Sequence, residues 1–511
     1  MSRTRGGWKG LLGAACALLM LLVAGGAQAG DALRAERAWK ATVQLRLQEA
    51  ARVLQGAPEG DTMLALERGR MLLYATRYTE ASGVLQRSDV LALPEGAHLA
   101  ELAANCARST AGALVVTDDE HGLVVRMQDD RDQVLVPILA QVATHARRSI
   151  ARELGVQLPR PLRIELVRDH HSLSSITGLA EESARTTGTV AVANWGRVAM
   201  VSPRSATHGY PWLDTLVHEL AHVALSIGTL DRAPLWLQEG AAKYAEGRWR
   251  AADPGDGHPS ADAVALAGIE LGLGRDLDDI GPSVAMLPSA EHAMVVFAEV
   301  ESFVRYYVRE AGPRALPGLL SGLRDAAAGA TASDVMKAQT GRDLGAWTQA
   351  WRAWLGQNAG DVPAELTLAG PAPHAATAVR NVRLGMLLLE RGHGQAASRV
   401  LLVAREAAPH ELRVRALLGE AFARMGQRQQ SWTAVAAIDP PMVPDAVAFS
   451  MHGRFLAEQT DRVGADRSFF RALALNPWNA ETACEMLVEP LVPAAAERAE
   501  LCRAARRWPR Y

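Results

Sequence analysis

The chain has 511 residues, 49% of them apolar and 5% aromatic, with a net charge of −2. Its length exceeds what one compact core supports, so two to four domains are expected, and a composition rich in Ala, Leu and Arg favours helix. The balanced charge excludes a nucleic-acid surface built on basic excess, and the absence of any Cys-x-x-Cys pair gives no thiolate metal site.

Arg3, Arg5 and Lys9 precede an apolar run from Leu11 to Ala24 that is short for a membrane span. Ala27-Gln28-Ala29 supplies small residues at the cleavage positions, so residues 1–29 read as a signal peptide cut before Gly30. The mature protein is then periplasmic or secreted with no stable membrane span, and membrane-anchored if the signal is not cut. Cys16 lies inside the apolar run rather than at its end, which argues against a lipid anchor. Cys106, Cys484 and Cys502 remain after cleavage, and export permits a Cys484–Cys502 bridge without demanding it.

Residues 30–110 read as an N-terminal helical region, with Ala35 to Leu54 as one amphipathic stretch and Leu64 to Gln86 as a helix–turn–helix. At Ala113 the texture changes. Ala113–Val116 and Leu123–Arg126 are β-prone runs around a polar turn, a hairpin signal. Val134 to Leu154 follows as a long helix with Gly155 just past its end. Leu162 to Val167 alternates like a half-buried strand, and Thr189–Ala193 with Val198–Ser202 brackets Asn194-Trp195-Gly196 as a second hairpin. Pro211 to Ile227 reads as a helix ended by Gly228, and Pro234 starts another that runs to about Arg248. Ala251 to Ser260 is a loop, helical pattern fills Ala290 to Leu355, and residues 357–377, rich in Pro, Gly and Ala, read as a linker.

The last part repeats. Gly385, Gly419 and Gly453 stand 34 residues apart, the tetratricopeptide period. Ala397 and Ala465 fall where the second helix of such a unit needs a small residue, and Pro409 and Pro477 end the first and third units. The middle unit is degenerate, with Ser431 and Val443 at those positions. Residues 378–480 are therefore read as three tetratricopeptide-like repeats followed by a helical cap over 481–511, and Gly69 with Ala81 suggests one such unit near the N-terminus. Arrays of this kind form concave surfaces for protein partners.

The chemistry concentrates in His218-Glu219-Leu220-Ala221-His222. Two histidines at i and i+4 of a helix share a face one turn apart, so both rings can meet one zinc ion at about 2.0–2.1 Å. Glu219 is rotated about 100° from His218 and lies beside that metal, where it can act as general base toward water. A third ligand is needed. The metzincin spacing fails, because Leu225 and Gly228 occupy its Gly and His positions. Glu239, in Leu235-Trp236-Leu237-Gln238-Glu239-Gly240-Ala241-Ala242-Lys243-Tyr244, is the better candidate. Two His and one Glu leave a fourth position open, as catalytic zinc requires.

HELAH followed by WLQEGAAKYAEG resembles the gluzincins, specifically the peptidase MA-like metalloproteases. The resemblance covers about residues 111 to 356. It implies an α+β fold: a small mixed sheet, the HExxH helix and a helical lower part, here flanked by the repeats. It further implies zinc ligands His218, His222 and Glu239, with Glu219 as base. Two departures stand out. Related enzymes often carry an acid four positions after the ligand Glu, orienting the first His; Lys243 stands there, leaving Glu246 or a carbonyl to take the role. Relatives also often use a Tyr or His for the oxyanion, and Tyr210, Tyr244, Tyr306 and Tyr307 are all available, while Phe297 stands where some relatives carry Tyr. The expectation is an exported zinc metallopeptidase acting on a peptide or protein substrate, with the repeats engaging a protein partner. The competing reading is an envelope interaction scaffold whose zinc domain is weak or inactive.

Overall fold

The computed structural model describes residues 30–206, 209–251, 259–281, 283–361, 375–408, 412–436, 445–478, 484 and 495–507. The signal-peptide segment, most of the expected linker and of the 251–260 loop, Pro409 and Val443 lie outside them. The chain divides into two compact units, residues 1–111 and 112–511.

The first unit is helical: α1 (30–43), α2 (Leu47–Leu54), α3 (Thr62–Tyr74), α4 (Tyr78–Leu85), α5 (Ser88–Leu91) and α6 (Pro94–Ser109). The single stretch expected over Ala35–Leu54 is two helices. Leu45 takes φ 57°, and the Arg46 N–H returns to the Ala41 carbonyl at 2.8 Å, closing the first helix. Buried Ala35, Ala38, Ala41, Ala50 and Leu54 lie on both sides of this break, so the period reads as continuous. In the α3–α4 hairpin a Cβ on Gly69 would lie 2.4 Å from the Leu85 side chain, a close approach that only glycine allows.

The second unit is mixed α+β and mostly helical. Its sheet contains β1 (Leu114–Asp118), β2 (Leu123–Met127), β3 (Leu162–Val167), β4 (Ala191–Asn194) and β5 (Arg197–Val201), ordered β1-β2-β3-β5-β4. The β2–β3 and β3–β5 pairs are parallel, and both outer pairs are antiparallel hairpins. In the β4–β5 hairpin Trp195 (φ 50°) and Gly196 (φ 74°) form the turn, both left-handed, as a two-residue type I′ connection needs. This leaves β4 as an edge strand. Helix α7 (Val136–Leu154) ends at Gly155 with φ 70°. Two short helices that the sequence pattern did not show, α8 (His170–Thr177) and α9 (Glu181–Thr187), connect β3 to β4.

Helix α10 (Trp212–Thr229) runs through Gly228 instead of stopping there. That glycine serves packing: a Cβ on it would sit 2.6 Å from Val156 Cγ2, and the helix ends at Leu230 with φ 54°. Next come α11 (Leu235–Glu246), α12 (Ala261–Glu270), α13 (Ala290–Ala311), α14 (Ala315–Asp325), α15 (Ala332–Thr340) and α16 (Leu344–Asn358). An aromatic chain locks three of them. Trp236 of α11 meets Phe303 of α13 edge-to-face at 5.4 Å, Phe303 meets Trp351 of α16 at 5.8 Å, and Trp351 Nε1 donates to Ser302 Oγ at 2.8 Å.

Three helix hairpins follow: α17 (Ala375–Glu390) with α18 (Gly394–Ala407), α19 (Leu412–Arg424) with α20 (Arg428–Val435), and α21 (Ala446–Glu458) with α22 (Arg462–Leu475). A Cβ on Gly385, Gly419 or Gly453 would lie 2.6, 2.4 or 2.7 Å from Leu401, Val435 or Phe469. Each partner stands sixteen residues after its glycine, the same offset as Leu85 from Gly69. The third hairpin rests on the segment that leads into α10. Tyr210 N–H donates to the Leu475 carbonyl at 3.1 Å, and Asn476 Nδ2 donates to the Ala206 carbonyl at 2.6 Å. Cys484 and Cys502 are bridged, and Cys106 is buried and outside any disulfide. No described helix is long and apolar enough to cross a membrane.

Candidate metal centre

Helix α10 buries Leu213, Leu216, Val217, Leu220 and Ala224 and turns His218 and His222 toward α11. The start of α10 is fastened to the chain just after α11. Asp214 accepts from Trp249 Nε1 at 2.7 Å and from both ends of the Arg250 guanidinium at 3.0 and 2.7 Å. From the other side α11 lies close on α13, because Gly240 leaves room for Val300 and Val304. Glu239, one residue earlier, is thereby fixed across from the two histidines.

The three donors converge. His218 Nε2 and His222 Nε2 are 3.1 Å apart, and each is 3.5 Å from the same oxygen, Glu239 Oε2. Ligands at about 2.0–2.1 Å from a tetrahedral zinc stand about 3.3–3.4 Å from one another, so one ion fits this triangle. Among the described residues this is the one His/Cys/Asp/Glu group whose donor atoms cluster in this way.

Charge around the triangle favours a cation. Burial would depress His218, but hydrogen bonds to Glu239 and Glu246 outweigh it and lift the imidazole to about 10. Burial would raise Glu239, yet His222 and His218 hold its carboxyl well below the usual range. Glu219, 7% exposed, is raised by burial, against the pull of both histidines and of the Ala193 backbone on β4.

Behind His218 lies a partly buried polar chain. His218 Nδ1 is 3.2 Å from Glu246 Oε2, and Lys243 Nζ pairs with that same oxygen at 2.7 Å. Burial would lower Lys243, but Glu246 and Glu301 keep it firmly protonated. Glu246 is held low by Lys243 and His218 despite its own burial. Lys243 thus does not take the place of the orienting acid; it compensates one supplied two turns after Glu239. The helical spacing of 239, 243 and 246 carries that signal, since all three lie on one face.

A cavity of about 490 Å³ opens on the site. His218 and Glu219 form part of its wall, with the β4 approach Thr189–Ala191 on one side and Met294, Phe297 and Glu301 of α13 on another. The Phe297 ring stands edge-on to His218 at 6.3 Å. None of the four candidate tyrosines lines the cavity. The Tyr210 hydroxyl donates to the Val201 carbonyl, Tyr306 and Tyr307 pack on Trp347, and Tyr244 lies under Arg248. His171, on α8, is exposed and paired with Glu181 at 3.2 Å. Of the α13 wall only Phe297 is signalled in the sequence, through the resemblance, because the other cavity residues of that helix are mostly small and apolar and read as core.

Residues 142–357 match the family described as the Peptidase MA superfamily, a span that includes His218, Glu219, His222 and Glu239. No curated protein matches the chain. Among solved structures, one described as the structure of native yeast LTA4 hydrolase aligns with a TM-score of 0.30 and 10% identity, over 77% of this chain and 66% of that one. The chain spans just under two thirds of that structure's length, and at this TM-score the likeness carries no functional argument.

Proposed function

We propose that the second unit contains a zinc metallopeptidase site, with His218, His222 and Glu239 as ligands and Glu219 as general base. The observation that carries this reading is the convergence of three donors from two helices, with the Glu219 carboxylate next to them at a cavity wall. The match of residues 142–357 to the Peptidase MA superfamily supports it. A bound zinc ion would supply the Lewis acid that polarises a peptide carbonyl and acidifies water. The chain's own residues supply the rest. Glu246 accepts the Nδ1 proton of His218, which directs the Nε2 lone pair at the metal position. Burial makes Glu219 a stronger base than an exposed carboxylate, suited to take a proton from the attacking water and return it to the leaving nitrogen. The outer edge of β4, beside Glu219, is the candidate to add an extended peptide as a further strand.

We further read the three C-terminal hairpins as tetratricopeptide-like units that engage a protein partner or substrate, supported by the repeated glycine contact sixteen residues apart. Residues 1–29 direct export to the periplasm or beyond, a reading that rests on the sequence alone.

Replacing Glu219 with Gln tests the role of the base. Zinc content should stay at wild-type level while hydrolysis of a mixed peptide library falls by at least about a thousandfold. Equal cleavage by the variant would remove Glu219 from the mechanism. Wild-type protein that binds zinc and cleaves nothing would favour the scaffold reading.

A further inference from the structure

A second cavity, of about 390 Å³, lies between α11, α12, α13 and α16, and the peptidase reading gives it no task. It shares helices with the zinc cavity but uses their alternate residues. Lys243, Ala261 and Glu301 face the zinc cavity, while Tyr244, Asp262 and Ser302 face this one. Consecutive residues on a helix diverge by about 100°, so a single layer of side chains separates the two.

Three arginines line this second cavity, drawn from two segments. Arg248 follows the end of α11, and Arg305 and Arg309 stand one turn apart on α13. Two of them lie on aromatic faces. The Arg248 guanidinium is 3.9 Å from the Tyr244 ring centre, and the Arg309 guanidinium is 4.2 Å from that of Trp354 and 5.1 Å from that of Tyr306. Stacking occupies the face of a guanidinium and leaves its in-plane N–H groups free to donate. Carboxylate compensation is thin. Arg305 reaches Glu301 only at 3.9 Å, Arg309 pairs through Nε with the exposed Glu310 at 2.9 Å, and Asp262 is the one acid in the lining. All three arginines are exposed, as on a solvated charged face, but the aromatic rings hold Arg248 and Arg309 against the wall of a concavity.

We propose that this cavity binds a phosphoryl group, as a phosphate monoester or a terminal phosphate on a larger ligand. A single planar fork satisfies a carboxylate, whereas several forks around one concavity can serve the three terminal oxygens of a tetrahedral dianion. The volume leaves room beyond the phosphoryl group for the moiety that carries it. The site is independent of the zinc ligands, and phosphoryl binding does not depend on peptide hydrolysis.

Calorimetric titration of the full-length, zinc-loaded protein with glycerol 3-phosphate tests this, with succinate as the dicarboxylate comparison. Expected is one-to-one binding that saturates below about 10 mM. It should weaken about tenfold or more in Arg248→Ala and in Arg309→Ala, and less in Arg309→Lys, which keeps the charge and loses the fork. Zinc content should be unchanged in all three, which separates this site from phosphate capture at the metal. Arg305→Gln, whose guanidinium stacks on no ring, gives the same loss if an alanine variant fails to fold. Absence of saturable binding, binding unchanged in the variants, or succinate binding as tightly as the monoester would each overturn the proposal.

Discussion

Gly240→Ala should both destabilise the second unit and weaken zinc binding, although alanine is the better helix former. A Cβ on Gly240 would lie 2.6 Å from Val304 Cγ2 and 2.7 Å from the Val300 carbonyl oxygen. The valine methyl can rotate away, but the carbonyl belongs to the α13 backbone and cannot. Ordinary contact at about 3.4 Å then requires α11 to retreat by about 0.7 Å. Alanine gains about 1 kcal/mol of helix propensity, while overpacking of this kind costs about 1–3 kcal/mol, so the balance is a loss of up to about 2 kcal/mol. The retreat displaces Glu239, the preceding residue, relative to both histidines, and sites of this kind tolerate about 0.5 Å. Zinc affinity should fall about tenfold or more, read by chelator competition, with stability read by urea unfolding of metal-free protein. Gly83→Ala is the control. It lies inside α4 with nothing within 4 Å of the added methyl, so it should gain up to about 1 kcal/mol and leave zinc untouched. If Gly240→Ala were as stable as wild type and bound zinc equally well, the close crossing of α11 and α13 could not be what places Glu239.

Two further outcomes follow from buried and partly buried charge. Glu246→Ala removes the partner of His218 Nδ1 and the hydrogen-bonded partner of Lys243, and zinc affinity should drop about 10- to 100-fold with no ligand altered; unchanged affinity would show that Glu246 does not orient His218. Glu299 is 1% exposed and accepts from the Arg275 N–H at 3.0 Å, and burial pushes its carboxyl up to about 7. A folded-state pKa above the unfolded one stabilises fully below about 4.5 and is lost as pH rises through 7. Glu299→Gln should therefore be more stable than wild type at pH 8, by up to about 3 kcal/mol, with the advantage gone near pH 4.5. A variant equally destabilised at both pH values would show that Glu299 is not strained by its charge.

The sheet and the metal triangle were legible because their signals are local. Strands β1, β2, β3 and β5 announce themselves by short β-branched runs, and the i, i+4 spacing of His218 and His222 needs only a helix. Glu239 was within reach because α11 immediately follows α10 and carries its own small-residue face. What stayed hidden depends on packing between distant segments. Apart from Phe297, the α13 wall of the cavity looks like ordinary core, and the choice of Glu246 over a carbonyl depends on the third dimension. Gly228 illustrates the limit: glycine in sequence reads as a stop, yet here it admits Val156 inside an unbroken helix. The expected helix over Ala35–Leu54 failed for the opposite reason, since the left-handed turn at Leu45 carries no glycine to mark it.

X-ray absorption at the zinc edge of the purified full-length protein tests the central claim most directly. The account predicts near-stoichiometric zinc with two imidazole nitrogens and carboxylate oxygen at about 2.0–2.2 Å, plus one further light ligand. Replacing Glu239 with Ala should remove one oxygen from that shell. Protein without zinc, a shell containing sulfur, or a shell unchanged by the Glu239 substitution would contradict it.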